Sequence, residues 1–208
     1  YMLADDPMRA YPYLIEVFRR SGGTPALEFL LGRARRLLGA ELAVLQHGAM
    51  VNDVAFLPED AEVVTISDDG TGAVWSVPDG KKRLTLDAHR GKVLALALSP
   101  AGVIATGGED GRVFVWDKDS GAHRELLPAH AREVHALAWD PDGRLVGASG
   151  RDGVVRVWNP AGGAVVHEWA HAKISRALSL GPGGIALSIG DDGQVLRADL
   201  GARTTSVL

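Results

Sequence analysis

His167-Glu168-Trp169-Ala170-His171 spells H-E-x-x-H, the spacing that on a helix sets two imidazoles on one face to hold zinc while the glutamate acts as general base. Thr65, His47 and Asp69 have the residue types of a hydroxyl, imidazole and carboxylate relay for nucleophilic catalysis. His47, His89, His130 and His171 supply four imidazoles for a metal cluster. The acidic turns Asp68-Asp69-Gly70 and Asp191-Asp192-Gly193 lack the alternating oxygen ligands and closing glutamate of a calcium loop. Gly107-Gly108 and Gly183-Gly184 are not followed by the Lys-Ser/Thr of a phosphate loop and do not form a dinucleotide fingerprint. With no cysteine in 208 residues, thiolate ligands, cysteine nucleophiles and disulfides are excluded. The remaining constellations stand or fall with the elements that carry them.

Two stretches of the chain follow different periods. Up to about residue 40 the apolar residues recur at helical spacing, which predicts two helices. The first starts at Asp6-Pro7 and runs to Arg20, with Pro12 kinking or shortening it. The second starts at Thr24-Pro25, carries the stripe Leu27, Leu30, Leu31, Ala34, Leu37 and Leu38, and stops at Gly39. Six basic and four acidic residues here read as a solvated helix surface. From Glu41 onward, short alternating apolar runs are separated by Gly, Pro and Asp, the grammar of strands and turns.

Self-comparison exposes a repeat. His47, His89, His130 and His171 are spaced by 42, 41 and 41 residues, and Pro58, Pro100, Pro141 and Pro182 follow eleven residues after them. Asp69-Gly70, Asp110-Gly111, Asp152-Gly153 and Asp192-Gly193 come next, and six residues past each Asp stand Trp75, Trp116, Trp158 and, breaking the rule, Ala198. Asp-Gly between apolar runs is a strong hairpin signal, so each repeat is about four strands. The H-E-x-x-H segment aligns with Leu126 to His130 of the preceding repeat and is expected in an outer strand entering a turn, where the helical zinc geometry is lost. Near-copies of the Thr65, His47, Asp69 set recur in every repeat with no oxyanion element, which assigns them to architecture.

His…Pro…Asp-Gly…Trp-Asp on a period near 41 resembles the WD-repeat β-propeller family, over roughly residues 41 to 208. The resemblance implies a mainly β fold of about four blades, each of four antiparallel strands, after a two-helix connector over 1 to 40. It also implies a blade-locking network of His47, Thr65, Asp69 and Trp75, then His89, Thr106, Asp110 and Trp116. The third network has His130, Asp152 and Trp158 but Ala148 where the hydroxyl belongs. The fourth has His171, Ser188 and Asp192 but Ala198 where the indole belongs, so the later blades are expected to be looser. A buried Asp needs donors, which makes the role structural. Blades radiating from an axis keep the four histidines apart, so no metal, cofactor or catalytic residue is expected. Partners are expected on the rim of the central channel, at the positions three and five after each His and one before each turn Asp. These are Met50, Asn52 and Asp68; Lys92, Leu94 and Glu109; Glu133, His135 and Arg151; Ile174, Arg176 and Asp191. Met, Leu and Ile among charges of both signs fit a protein or peptide.

A net charge of −4 leaves no global basic field for nucleic acid or anionic lipid. No apolar run approaches the ~20 residues of a membrane helix, and the lack of cysteine and of a signal-like core points to the cytoplasm. Family members usually close a ring of about seven blades, so four repeats imply an incomplete ring, a longer chain or two copies that meet. A tight four-bladed ring would instead take its last outer strand from Glu41 to Gln46 and leave Thr204 to Leu208 surplus. The leader resembles the connector before propellers in bacterial multidomain signalling proteins. The expected function is a non-catalytic protein- or peptide-binding scaffold, or the sensor arm of such a protein. The alternatives are a self-associating structural module and a zinc hydrolase built on His167-Glu168-x-x-His171.

Overall fold

Sixteen strands follow one another in the computed structural model, which describes residues 44–58, 61–77 and 79–208. The helices expected over residues 1 to 40 lie outside the described residues. The first four strands are β1 (Val51–Phe56), β2 (Glu62–Ser67), β3 (Gly72–Ser76) and β4 (Lys82–Leu86), and they form one sheet in that order. The second sheet is β5 (Val93–Leu98), β6 (Ile104–Gly108), β7 (Val113–Trp116) and β8 (His123–Leu126). The third is β9 (Val134–Trp139), β10 (Val146–Gly150), β11 (Val154–Asn159) and β12 (Ala164–Ala170). The fourth is β13 (Ser175–Leu180), β14 (Ile185–Gly190), β15 (Val195–Asp199) and β16 (Thr204–Val207). All pairings are antiparallel between neighbours in sequence, so each sheet is a meander, one blade per repeat. Thr204–Val207 is the fourth strand of the last blade, which removes the four-bladed closure in which it was surplus.

The Asp-Gly pairs form the turns between the second and third strands. Gly70, Gly111, Gly153 and Gly193 sit there at φ of 87°, 75°, 81° and 76°, a region that a side chain disfavours. The Asp carboxylates accept the N–H two residues on, from Thr71 at 2.9 Å and from Arg112, Val154 and Gln194 at 3.1 Å each. Turn chemistry and strand alternation thus specify the same hairpin four times.

Each blade buries its faces against its neighbours. Val64, Ile104, Phe114 and Trp116 fill the space between the first and second blades. Ala105, Val134, Val146 and Trp158 lie between the second and third, and Val157, Trp169, Leu180 and Ala198 between the third and fourth. The opening strands pack on one another, β1 on β5, β5 on β9 and β9 on β13, so they lie innermost and the fourth strands form the outer edge. Among the described residues, no strand of the first blade packs extensively on one of the fourth, and the arc is open.

Candidate partner-binding rim

The repeat histidine, the second-strand hydroxyl, the turn Asp and the indole meet in the first two blades. His47 Nε2 lies 2.6 Å from Thr65 Oγ1, Trp75 Nε1–H donates to the same oxygen at 2.6 Å, and His47 Nδ1 is 3.1 Å from Asp69. In the second blade His89 is 2.9 Å from Thr106 and 3.0 Å from Asp110, and Trp116 donates to Thr106 at 2.8 Å. A carboxylate only accepts, so Nδ1 carries the imidazole proton. Nε2 then accepts from a hydroxyl that itself accepts from the indole. The carboxylate also accepts from the backbone N–H after each His, at Gly48, Arg90, Ala131 and Ala172, over 2.8 to 3.0 Å. That bond ties the loop ahead of each opening strand to the Asp-Gly turn.

The third and fourth networks depart from the pattern in different ways. With Ala148 in the hydroxyl position, His130 Nε2 is buried without a partner, and Trp158 donates to the Leu127 carbonyl at 3.0 Å. His130 still reaches Asp152 at 3.1 Å. In the fourth blade His171 lies 2.9 Å from Ser188 and 3.2 Å from Asp192. The indole missing at Ala198 is replaced from outside the repeat, because Trp169 on β12 of the third blade donates to Ser188 at 2.9 Å. The fourth lock therefore spans two blades, and the expectation that it lacks an indole is corrected. The signal was present: a tryptophan two residues before the fourth repeat histidine, where the other repeats have Leu45, Asp87 and Pro128.

Burial, opposed by Asp110, pushes the His89 imidazole below its ordinary value of 6.5, and burial opposed by Asp152 does the same at His130. Burial raises Asp110, but donors from Arg90, His89 and Arg112 outweigh it and hold the carboxyl below 3.8. The second and third locks are thus neutral imidazole on ionised carboxylate.

The twelve expected rim residues fall into four equivalent groups at one end of the blades. The residue before each turn Asp donates its N–H to the carbonyl three past the His: Asp68 to Met50, Glu109 to Lys92 and Arg151 to Glu133 at 2.8 Å, and Asp191 to Ile174 at 2.9 Å. The third member, five past the His, sits in a β-bulge in every blade. Register shifts between Val51/Asp53, Val93/Ala95, Ser149/Gly150 and Ser175/Ala177 leave Asn52, Leu94, His135 and Arg176 as the extra residues. A bulge re-aims its side chain out of the ladder.

Several of these side chains are held by charge pairs. Lys92 Nζ meets Asp68 at 2.6 Å, and Asn52 donates to Asp68 at 2.8 Å and to the Val93 carbonyl at 2.7 Å, joining the first two blades. Arg151 contacts Glu133 at 3.0 Å, and Arg176 grips Asp191 with two bonds of 2.7 and 2.6 Å. The Lys92 and Asn52 donors hold the Asp68 carboxyl below its usual range, and Arg176 does so for Asp191. Met50 stays 66% exposed, while Leu94, His135 and Ile174 are half-buried.

The metal readings do not assemble. His167 lies on β12 and contacts Thr205 at 3.1 Å, while His171 is engaged in its lock. Among the described residues no group of three or more His, Asp or Glu is placed to hold a metal ion.

The family described as WD domain, G-beta repeat matches residues 39–76, 80–117 and 122–159. The chain belongs to this family. Its repeats generally mediate protein–protein interaction as non-enzymatic scaffolds. The fourth repeat, which ends on Ala198, falls outside the matched stretches. Two similar solved structures are "Structure of U3-55K", at TM-score 0.72 and 23% identity, and "Crystal structure of RRP9 WD40 repeats", at 0.72 and 24%. Each alignment covers 79% of this chain, which spans 54% and 53% of those two, so the likeness is one of fold to part of a larger WD-repeat propeller. No curated protein matches the chain.

Proposed function

We propose that this chain is a non-catalytic WD-repeat scaffold that binds a protein or peptide on the rim built from the twelve residues above. The supporting observation is the fourfold rim group, in which a bulge residue stands beside two residues joined by a main-chain hydrogen bond. Such groups are preorganised: ion pairs present charge in fixed places, and Met50, Leu94 and Ile174 offer apolar contact between them. A polypeptide with alternating polar and apolar side chains matches that surface. Residues 1 to 40, with their resemblance to a signalling connector, support the finer reading of a sensor arm in a cytoplasmic bacterial protein. Selection of peptides from a random displayed library on the purified chain tests the rim. Binding of the selected peptides is expected to be lost in a Lys92→Ala/Arg151→Ala/Arg176→Ala variant and kept in Arg144→Ala, at the opposite end of the blades.

A second reading is self-association through the terminal blades. It is favoured by one observation, the exposure of apolar side chains on the first blade and on the fourth.

A further inference from the structure

Every internal junction between blades follows one rule. An opening strand sets the residues four and seven past its histidine on the preceding blade, against residues three and five before that blade's turn Asp. A Cβ built on Gly107 would stand 2.5 Å from Val134 Cγ1, one on Gly147 would stand 2.6 Å from Leu178 Cδ2, and Val64 shares a cluster with Leu96. Burial obeys the same rule. On the presenting side Val93, Val134 and Ser175 are 0% exposed, and on the receiving side so are Ile66, Ser149, Val64 and Ala105.

The two ends of the arc carry the same positions with the opposite exposure. On the first blade, Val51, Val54 and Phe56 are 43%, 57% and 71% exposed. On the fourth, Leu187, Ile189 and Val195 are 40%, 45% and 37% exposed, although Val113 and Val155, the counterparts of Val195, are 1% and 0%. Among the described residues, the two ends therefore display one presenting half and one receiving half of the same junction.

We infer that these halves pair between copies: the fourth blade of one chain seats the first blade of a second copy, with Ile189 against Val51 and Leu187 against Val54. Two such junctions about a twofold axis close a ring of eight blades. The inference rests on the self-association reading and is independent of the rim. Residue types select a second copy of this chain as the occupant. The junction of the first two blades sets Val64 with Leu96 and, by the same rule, the fully buried Ile66 with Val93. The junction between copies has the same four types, with Val and Leu exchanged across it, so its volume matches one the fold already packs. The other internal junctions set Gly107 on Val134 and Gly147 on Leu178, small against large. Two first blades, or two fourth blades, bring together halves of one kind.

Light scattering on the full chain after gel filtration is expected to give twice the chain mass of 22.0 kDa. Val51→Glu and Ile189→Arg, both at exposed positions, should each give a folded monomer by circular dichroism. An equimolar mixture of the two should restore the dimer, because the mixed pair keeps one natural junction and sets the introduced glutamate opposite the introduced arginine. As the chain has no cysteine, Val51→Cys mixed with Ile189→Cys should yield one disulfide-linked dimer. A strictly monomeric natural chain overturns both this pairing and the self-association reading. A dimer that survives either single charged variant, or fails to cross-link, keeps self-association and overturns the pairing. A mass that climbs past two copies with concentration overturns the closed ring.

Discussion

A hydroxyl at the second-strand position accepts from an indole and donates to an imidazole at once, and few other side chains can do both in that volume. Thr65, Thr106 and Ser188 do so. Where Ala148 stands, His130 Nε2 is left buried and unpaired, a condition that costs about 1–3 kcal/mol. Ala148→Ser should therefore stabilise the chain by about 1 kcal/mol in urea unfolding; an unchanged or lower midpoint would contradict the assignment. The locks also set a pH dependence. The folded pKa of His89 and His130 lies below the unfolded value near 6.5, so the unfolded chain binds more protons between the two. Their contribution is complete above 6.5 and is lost as pH falls toward the folded value. Asp110 and Asp152, depressed below 3.8, withdraw theirs only in stronger acid. Thermal melts should show the midpoint falling as pH drops from 7 toward 5, and more steeply below 4; a midpoint flat across the upper window would refute the neutral-imidazole lock. Most members of the locks were legible because they recur at fixed offsets. Trp169 stands out in the sequence as the tryptophan two before His171, but its role is not legible, because Ser188, its partner, belongs to the following repeat.

Strands and Asp-Gly turns could be read because apolar alternation and glycine at positive φ are local properties. The bulges could not. A bulge is a mismatch of count between two strands, and because every repeat carries the same extra residue, aligning repeat with repeat shows no gap. The repeat's offsets place these positions at the rim; what they do not show is that the residue five past each His leaves the regular ladder while the residue four past it stays paired. Junction packing was hidden for a similar reason, since side chains that meet there come from different repeats. Gly107 shows how tight the fit is, with Val134 occupying the space a methyl would need. Gly107→Ala should destabilise by about 1–3 kcal/mol through overpacking between the second and third blades. An unchanged unfolding midpoint would mean that β6 and β9 can separate at no cost.

Across the molecule, one construction rule yields two kinds of surface. Along the arc, locks and turns present four equivalent rim groups whose side chains differ: a Lys–Asp–Asn bridge, a leucine beside a glutamate, a Glu–Arg pair with a histidine, and a two-bonded Arg–Asp pair. At the two ends, junction faces with no neighbour among the described residues expose valine, leucine, isoleucine and phenylalanine. The residue types of both surfaces can be read from the sequence, but their division into paired rim and unpaired ends cannot, because exposure depends on what the next blade covers. A uniform framework with a varied rim is what the proposed rim-binding scaffold requires. The most direct test is the affinity of library-selected peptides for the natural chain and for Lys92→Ala/Arg151→Ala/Arg176→Ala, measured by calorimetry. Loss of about tenfold or more, corresponding to ~1.4 kcal/mol, with the unfolding midpoint unchanged, is the result expected of a binding rim. Equal affinity for both chains would place the binding surface elsewhere and contradict it.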